Sequence, residues 1–311
     1  MTRAGVWSIL PFAAGLAACN RAELPCGSEV ALDAAFTTHV GLSGGQVATL
    51  GFEQEGVRLE RFSLENGQLT RLETQRIPNG RAVAASGDVL VVEVGGRRRI
   101  LEVSEGFPLL YEEPSSGDAA VGGTVVYTGS HVLDAAATPV VAEPVGPPPT
   151  FWTPILDGYR TVWPNTPSPE FATLPGLDDL RELNLHQGVP QLGIDDEVFV
   201  RHAAFLGDQV WLNVATDENR RRFLIEVDWE TALPLRGVEI HTDAGFVFAV
   251  GERLYLDRSD GVIEVLDVET LERVGSHDIG SYLGTVRVDE AHAVWMSDDF
   301  QTLNAARVEC L

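Results

Sequence analysis

Phe223-Leu224-Ile225-Glu226-Val227-Asp228-Trp229-Glu230-Thr231 recurs downstream as Val262-Ile263-Glu264-Val265-Leu266-Asp267-Val268-Glu269-Thr270. Each stretch reads as a strand of β-branched and aromatic residues running into a polar turn, where Asp can bond its own backbone. Looser copies are Leu59-Glu60-Arg61-Phe62-Ser63-Leu64-Glu65-Asn66-Gly67 and Ile100-Leu101-Glu102-Val103-Ser104-Glu105-Gly106. Anchoring on the polar residue gives Ser63, Ser104, Asp134, a degenerate site near Pro175, Asp228, Asp267 and Glu309. Their mean spacing of about 41 residues is the length of a four-stranded unit in repeat proteins. Most units also open with a turn before the second strand: Gly87-Asp88, Gly122-Gly123, Gly207-Asp208 and Gly251-Glu252.

Outward from these repeats, helical periodicity is hard to find anywhere after Cys26. Runs such as Val89-Leu90-Val91-Val92-Glu93-Val94, Thr124-Val125-Val126-Tyr127 and Phe246-Val247-Phe248-Ala249-Val250 alternate with Gly, Asp, Asn and Pro, the mark of many short strands. The expected fold is therefore all-β: a β-propeller of seven four-stranded blades over residues 26–311, with six or eight as alternatives. The third blade should be short, and the fourth, Pro147 to Gln187, the least regular. The arrangement resembles the YVTN, quinoprotein-like and WD40-like propeller families. The Trp-Asp and Gly-His signatures of WD40 repeats and a regular tryptophan-docking pattern are absent.

The last unit holds three strands, Gly284–Asp289, Ala293–Ser297 and Thr302–Val308. A fourth, outer strand from Glu29 to Phe36 would complete it and close the ring. Neighbouring strands in a blade are antiparallel, so this places Cys26 beside Cys310 and predicts a disulfide between them.

The N-terminus supplies the oxidising compartment that such a bond needs. One early positive charge, Arg3, precedes an apolar run from Ala4 to Gly15 and then Leu16-Ala17-Ala18-Cys19. A run of about a dozen residues is too short to cross a hydrocarbon core that needs roughly 20, and the pattern is that of a secretory signal. The last four residues resemble the lipobox of bacterial lipoproteins. That resemblance implies lipidation of Cys19, removal of residues 1–18, and a tether of residues 19–25. Asn20, where an Asp would retain the protein at the inner membrane, favours the outer membrane. The competing reading is an ordinary secretory signal with a chance cysteine.

The net charge is −24 and no Lys occurs, so every basic side chain is Arg or His. A surface this acidic repels phosphate backbones and argues against nucleic-acid partners. Arg97-Arg98-Arg99 and Arg220-Arg221-Arg222 read as solvated strand starts or turns.

Site motifs are sparse. Gly41-Leu42-Ser43-Gly44-Gly45 matches the Gly-x-Ser-x-Gly elbow, but Gln46 to Phe52 continues as a strand, so a hairpin is expected and no catalytic residue is assigned. His39, His131, His186, His202, His241, His277 and His292 stand singly, without zinc-ligand spacing, although ring folding could gather some at a central channel. No cofactor is expected. Calcium is a secondary possibility at Asp178-Asp179, Asp195-Asp196-Glu197, Asp298-Asp299 or Asp257–Gly261. Phe151, Trp152, Tyr159 and Trp163, set among prolines, are the candidate binding surface, with aromatic plugs between blades as the competing fate.

The expected function is a lipid-anchored envelope protein, periplasmic or surface-facing, whose propeller binds a protein or small ligand without catalysis. The alternatives are a lactonase- or quinoprotein-like enzyme with a metal or cofactor on the central axis, and a structural envelope component.

Overall fold

The computed structural model describes residues 26–311 except 35, 116, 146–152, 165–168, 195–197, 217–220 and 281–283. Cys19, the signal segment, Phe151, Trp152, Arg220 and Asp195-Asp196-Glu197 lie outside the described residues, as does the side chain of His186.

Seven sheets of four antiparallel strands form a ring, a seven-bladed β-propeller. Blade 1 comprises Phe36–Ser43, Gln46–Glu53, Gly56–Glu65 and Gln68–Pro78; blade 2, Gly80–Ala85, Val89–Val94, Arg97–Glu102 and Leu109–Pro114. The short blade 3 comprises Ala120–Gly122, Val125–Tyr127, His131–Asp134 and Ala142–Pro144, and the irregular blade 4, Ile155–Asp157, Arg160–Trp163, Glu170–Thr173 and Arg181–Glu182. Blade 5 comprises Val198–Leu206, Gln209–Thr216, Arg222–Asp228 and Leu233–Ile240; blade 6, Ala244–Val250, Arg253–Arg258, Val262–Asp267 and Arg273–Asp278. Blade 7 takes Arg287–Val288, His292–Met296 and Thr302–Arg307 from the C-terminus and Gly27–Ala31 from the N-terminus.

The middle strands explain the ring. Successive residues of a strand point to opposite faces, and here both faces meet a neighbouring blade. Val89 and Val91 pack toward blade 3 with Val126 and Leu133, whereas Leu90 and Val92 pack toward blade 1 with Leu50 and Leu59. Val210, Leu212 and Val214 face blade 4, and Trp211 faces blade 6. Strands buried on both faces therefore read as unbroken apolar runs.

The turns follow the repeat. Asp228 Oδ1 accepts from Thr231 N at 2.8 Å and Oγ1 at 2.6 Å, and Asp267 Oδ1 accepts from Glu269 N at 3.1 Å and Thr270 N at 3.0 Å. Ser63 departs from this pattern. It lies within the third strand of blade 1 because Asn66-Gly67, with φ of 53° and 78°, makes a two-residue hairpin that lengthens both strands.

The outer strands of blades 1, 2, 5 and 6 are bulged, leaving Leu72, Leu110, Leu235 and Val274 out of their ladders. Such bulges blunt exposed sheet edges against pairing with another chain.

Arginine links blade to blade. Arg98 was expected in solvent but is fully buried, donating to Gly117 O at 2.7 Å and to Thr128 O of the next blade, and pairing with Glu93 at 3.3 Å. Arg181 donates to Trp229 O and Glu230 O of blade 5, and Arg236 to Val268 O and Glu269 O of blade 6. Arg222 likewise reaches Ala244 O of blade 6. A planar fork that satisfies several carbonyls at once suits Arg and not Lys.

Closure falls slightly earlier in the chain than Glu29 to Phe36. Residues Gly27 to Ala31 pair with Ala306 to Thr302, the next amide (Leu32 N) bonds Gln301 O at 2.7 Å, and Phe36 already begins blade 1. Ser28 Oγ donates to Gly67 O and accepts from Leu69 N, both at 2.8 Å, docking the same strand on blade 1. A Cβ on Gly67 would come within 2.4 Å of Cys26 O, so only glycine allows this approach. Cys26 and Cys310 form a disulfide with Cα atoms 6.5 Å apart across a separation of 284 residues.

Replacing both cysteines, Cys26→Ala with Cys310→Ala, should lower unfolding stability by up to about 5 kcal/mol, the closure entropy of so long a loop. Urea titration of the variant against the oxidised protein checks this, with an earlier midpoint as the expected outcome.

Candidate functional site

The first strand of every blade faces the ring axis, and the seven together enclose a cavity of about 290 Å³. Its wall is uneven. Blades 1 to 4 come together through small residues: a Cβ on Gly41 would lie 2.1 Å from Ser86 C, and one on Gly122 would lie 2.6 Å from Leu156 Cβ. Blades 5 and 6 contribute Phe205 and Phe248, and blade 7 contributes Arg287.

Bulges aim the polar groups. The first strands of blades 1, 5 and 6 slip register between Thr37 and His39, Val200 and His202, and Ala244 and Phe246. An inserted residue bends the strand and redirects the side chain that follows. Counted back from the turn glycines Gly44, Gly207 and Gly251, His39, His202 and Phe246 each stand five residues upstream. Asn213 holds the blade 6 bulge from blade 5, donating Nδ2 to Ala244 O at 3.1 Å and Gly245 O at 2.9 Å.

His202 Nδ1 donates to Val247 O at 2.9 Å, and its ring lies 4.8 Å from that of Phe246 and 5.5 Å from that of Phe248. His39 Nδ1 lies 2.8 Å from Thr38 Oγ1. Half-buried Arg287 donates Nη1 to Val286 O at 2.7 Å and Gly284 O at 3.0 Å; among the described residues its bonds leave from Nη1 alone.

Two carboxylates lie close by, and both are engaged. Asp257, fully buried, accepts the Gly284 N–H at 2.8 Å. Asp157, on the cavity wall, pairs with Arg160, which also donates to Gly207 O.

Burial pulls Arg287 below its ordinary value, and Asp257 offsets part of this. Burial first, then the charge of Arg287, lowers His202 to about 3 and His39 to about 4. Both imidazoles are therefore neutral near pH 7, and the axis carries the positive charge of Arg287.

A second groove of about 700 Å³ lies between blades 6 and 7 near Leu311. Its arginines are already paired, Arg253 with Asp267 at 2.7 Å and Arg307 with Glu309 at 2.8 Å.

The remaining sequence candidates do not converge. Trp163 is 0% exposed, packed edge-on to Tyr127 at 5.5 Å between blades 3 and 4, while Tyr159 is 41% exposed. Its strand is buried at three successive positions, Thr161 to Trp163, and the indole packs with Val125, Tyr127 and Val132 of blade 3, so Trp163 is a plug and not part of a surface. Ser43 ends the first strand of a hairpin closed by Gly44-Gly45, as expected.

Asp179 is spent on Thr173 N at 2.7 Å and Thr173 Oγ1 at 2.8 Å, and Asp260 on Arg258 at 2.6 Å. Asp299 accepts from Gln301 N at 2.9 Å. Among the described residues no group of three His, Cys, Asp or Glu is placed to hold a metal. His131 sits 3.1 Å from Glu113, His241 3.3 Å from Asp243 and His292 3.9 Å from Asp289, all away from the axis.

No protein family's sequence profile matches the chain, and no characterised protein resembles it significantly in sequence. Among solved structures it is similar to the computationally designed Ika8 protein at 12% identity, with a TM-score of 0.53 over 89% of this chain and 98% of that one. BamB from Moraxella catarrhalis aligns at 12% identity with a TM-score of 0.49, over 91% of this chain and 99% of that one. At these identities the likeness to the designed protein extends to the fold alone. The class is thus a seven-bladed β-propeller with a polar axial cavity.

The two axial histidines make stability depend on pH. Each has a folded pKa depressed from about 6.5 in the unfolded chain, so the unfolded state takes up protons first as the pH falls. Their contribution is complete above about pH 6.5 and is lost progressively toward pH 4 and below. The variant carrying His39→Asn with His202→Asn should show a thermal midpoint that changes less between pH 7 and pH 5 than that of the wild type, measured by calorimetry at both values.

Proposed function

We propose that this protein is an exported, lipid-anchored propeller of the cell envelope that works as a non-catalytic binding or scaffold module. The observation that carries the reading is the disulfide-closed ring around a polar axial cavity. A structural disulfide of this kind belongs to chains that fold outside the reducing cytosol, and the Leu16-Ala17-Ala18-Cys19 lipobox supplies both export and anchor.

The geometry suits a tether. Cys26 sits at the outer edge of blade 7, seven residues after Cys19 in sequence. Seven residues span at most about 25 Å, so lipid on Cys19 would hold the rim of the ring close to the bilayer. Among the described residues no helix is long and apolar enough to cross a membrane.

The enzyme alternative, with a metal on the central axis, is disfavoured by electrostatics. A guanidinium on the cavity wall opposes a divalent cation there, and Asp157 and Asp257 are engaged with protein donors.

Cys19→Ala should move the protein from the membrane pellet to the soluble fraction, and the wild type should carry the mass of a diacylglycerol and a fatty acid on residue 19. Fractionation and intact mass of protein from native membranes check both. A wild-type protein that is soluble and unlipidated contradicts the anchor.

A further inference from the structure

The cavity at the ring axis holds a feature that the fold alone does not require. In a chain of net charge −24, one guanidinium is kept at the centre with only one of its nitrogens bonded among the described residues. Withdrawing a charge from water costs several kcal/mol unless partners replace the lost hydration. Two carbonyl acceptors and a carboxylate already engaged with Gly284 N–H replace it only in part. Nε and Nη2 of Arg287 form the half of the fork that pairs with an anion through two parallel hydrogen bonds.

We propose that the axial cavity binds a small organic carboxylate, its charged end on Arg287 and its body against Phe205 and Phe248; this deepens, and rests on, the reading of the propeller as a binding module. The walls choose the chemistry. Val121, Leu156, Phe205, Phe248 and Val288, each also packed into a cluster between blades, leave their remaining exposed surface on the cavity wall and suit an apolar or aromatic body. A space of about 290 Å³ is near the lower limit of small-ligand sites.

A phosphate dianion would want a second cation. The other guanidinium beside the wall, Arg160, is committed to Asp157 and Gly207 O. His202, on the cavity wall and neutral at pH 7, adds no charge there. With Nδ1–H given to Val247 O, the neutral ring keeps Nε2 as an acceptor, so His202 flanks the site without bonding the carboxylate itself.

The test uses the full-length protein in detergent, with benzoate and hexanoate as probes and inorganic phosphate as an anion lacking an organic body. Calorimetry and ligand-observed NMR should detect at least one of the two carboxylates binding. Arg287→Gln should weaken it about tenfold or more, and millimolar phosphate should not displace it. Because Arg287→Gln could unfold the ring, two controls accompany it. Phe248→Leu should weaken benzoate more than hexanoate, and the wild-type imidazole signals of His39 and His202 should shift on adding the bound carboxylate.

Absence of binding by both carboxylates, equal binding by a folded Arg287→Gln variant, or displacement by phosphate would each overturn the carboxylate site. A protein that fails here yet stays in the membrane fraction keeps its reading as a tethered module. Conversion of the probe, visible in the same NMR spectra, would leave the carboxylate site standing and contradict the non-catalytic role.

Discussion

Two-faced burial of the middle strands is the constraint on which this structure depends. A blade whose second and third strands are apolar on both sides cannot be satisfied alone, nor at either end of an open row. Trp211 and Leu224 need blade 6 as much as Val210 and Leu212 need blade 4. A closed ring removes both ends at once. The residues that permit closure are few: the strand Gly27–Ala31, the glycine at 67 that lets Cys26 approach, and the disulfide to Cys310.

Closure also creates the site. His202 and Arg287 belong to blades 5 and 7 and share one cavity only because the first strands of all seven blades line one axis, and His39 of blade 1 lies near enough to feel the charge of Arg287. An inner bulge then precedes His202 on the cavity wall, and Asn213 holds the neighbouring blade 6 bulge in place across a blade boundary. Electrostatics within this small space run against the rest of the molecule. The exterior is acidic, whereas the axis sets the guanidinium of Arg287 among carboxylates, Asp157 and Asp257, that are already engaged.

Much of the architecture was legible in the sequence for physical reasons. Runs such as Val89 to Val92 are apolar at every position because both faces are buried, and Asp228 and Asp267 mark turns because their carboxylates bond the backbone just ahead. Blade number and the pairing of Cys26 with Cys310 follow from these. The arginines were not legible, since nothing local separates buried Arg98 from Arg97 and Arg99 beside it. Trp163 reads like its exposed neighbour Tyr159 until its strand is placed between two blades. The axial histidines could have been found by aligning blades on Gly44 and Gly207. Arg287 carries no such mark, because its importance comes from where the ring puts it.

Native-state hydrogen exchange of the oxidised and the reduced protein tests ring closure most directly. The account predicts that amides in Gly27–Ala31 are protected to a similar degree as those in Thr302–Arg307, and that reduction of the Cys26–Cys310 bond lowers protection in blades 7 and 1 before the others. Free exchange throughout Gly27–Ala31 in the oxidised protein, unchanged by reductant, would contradict closure by this strand.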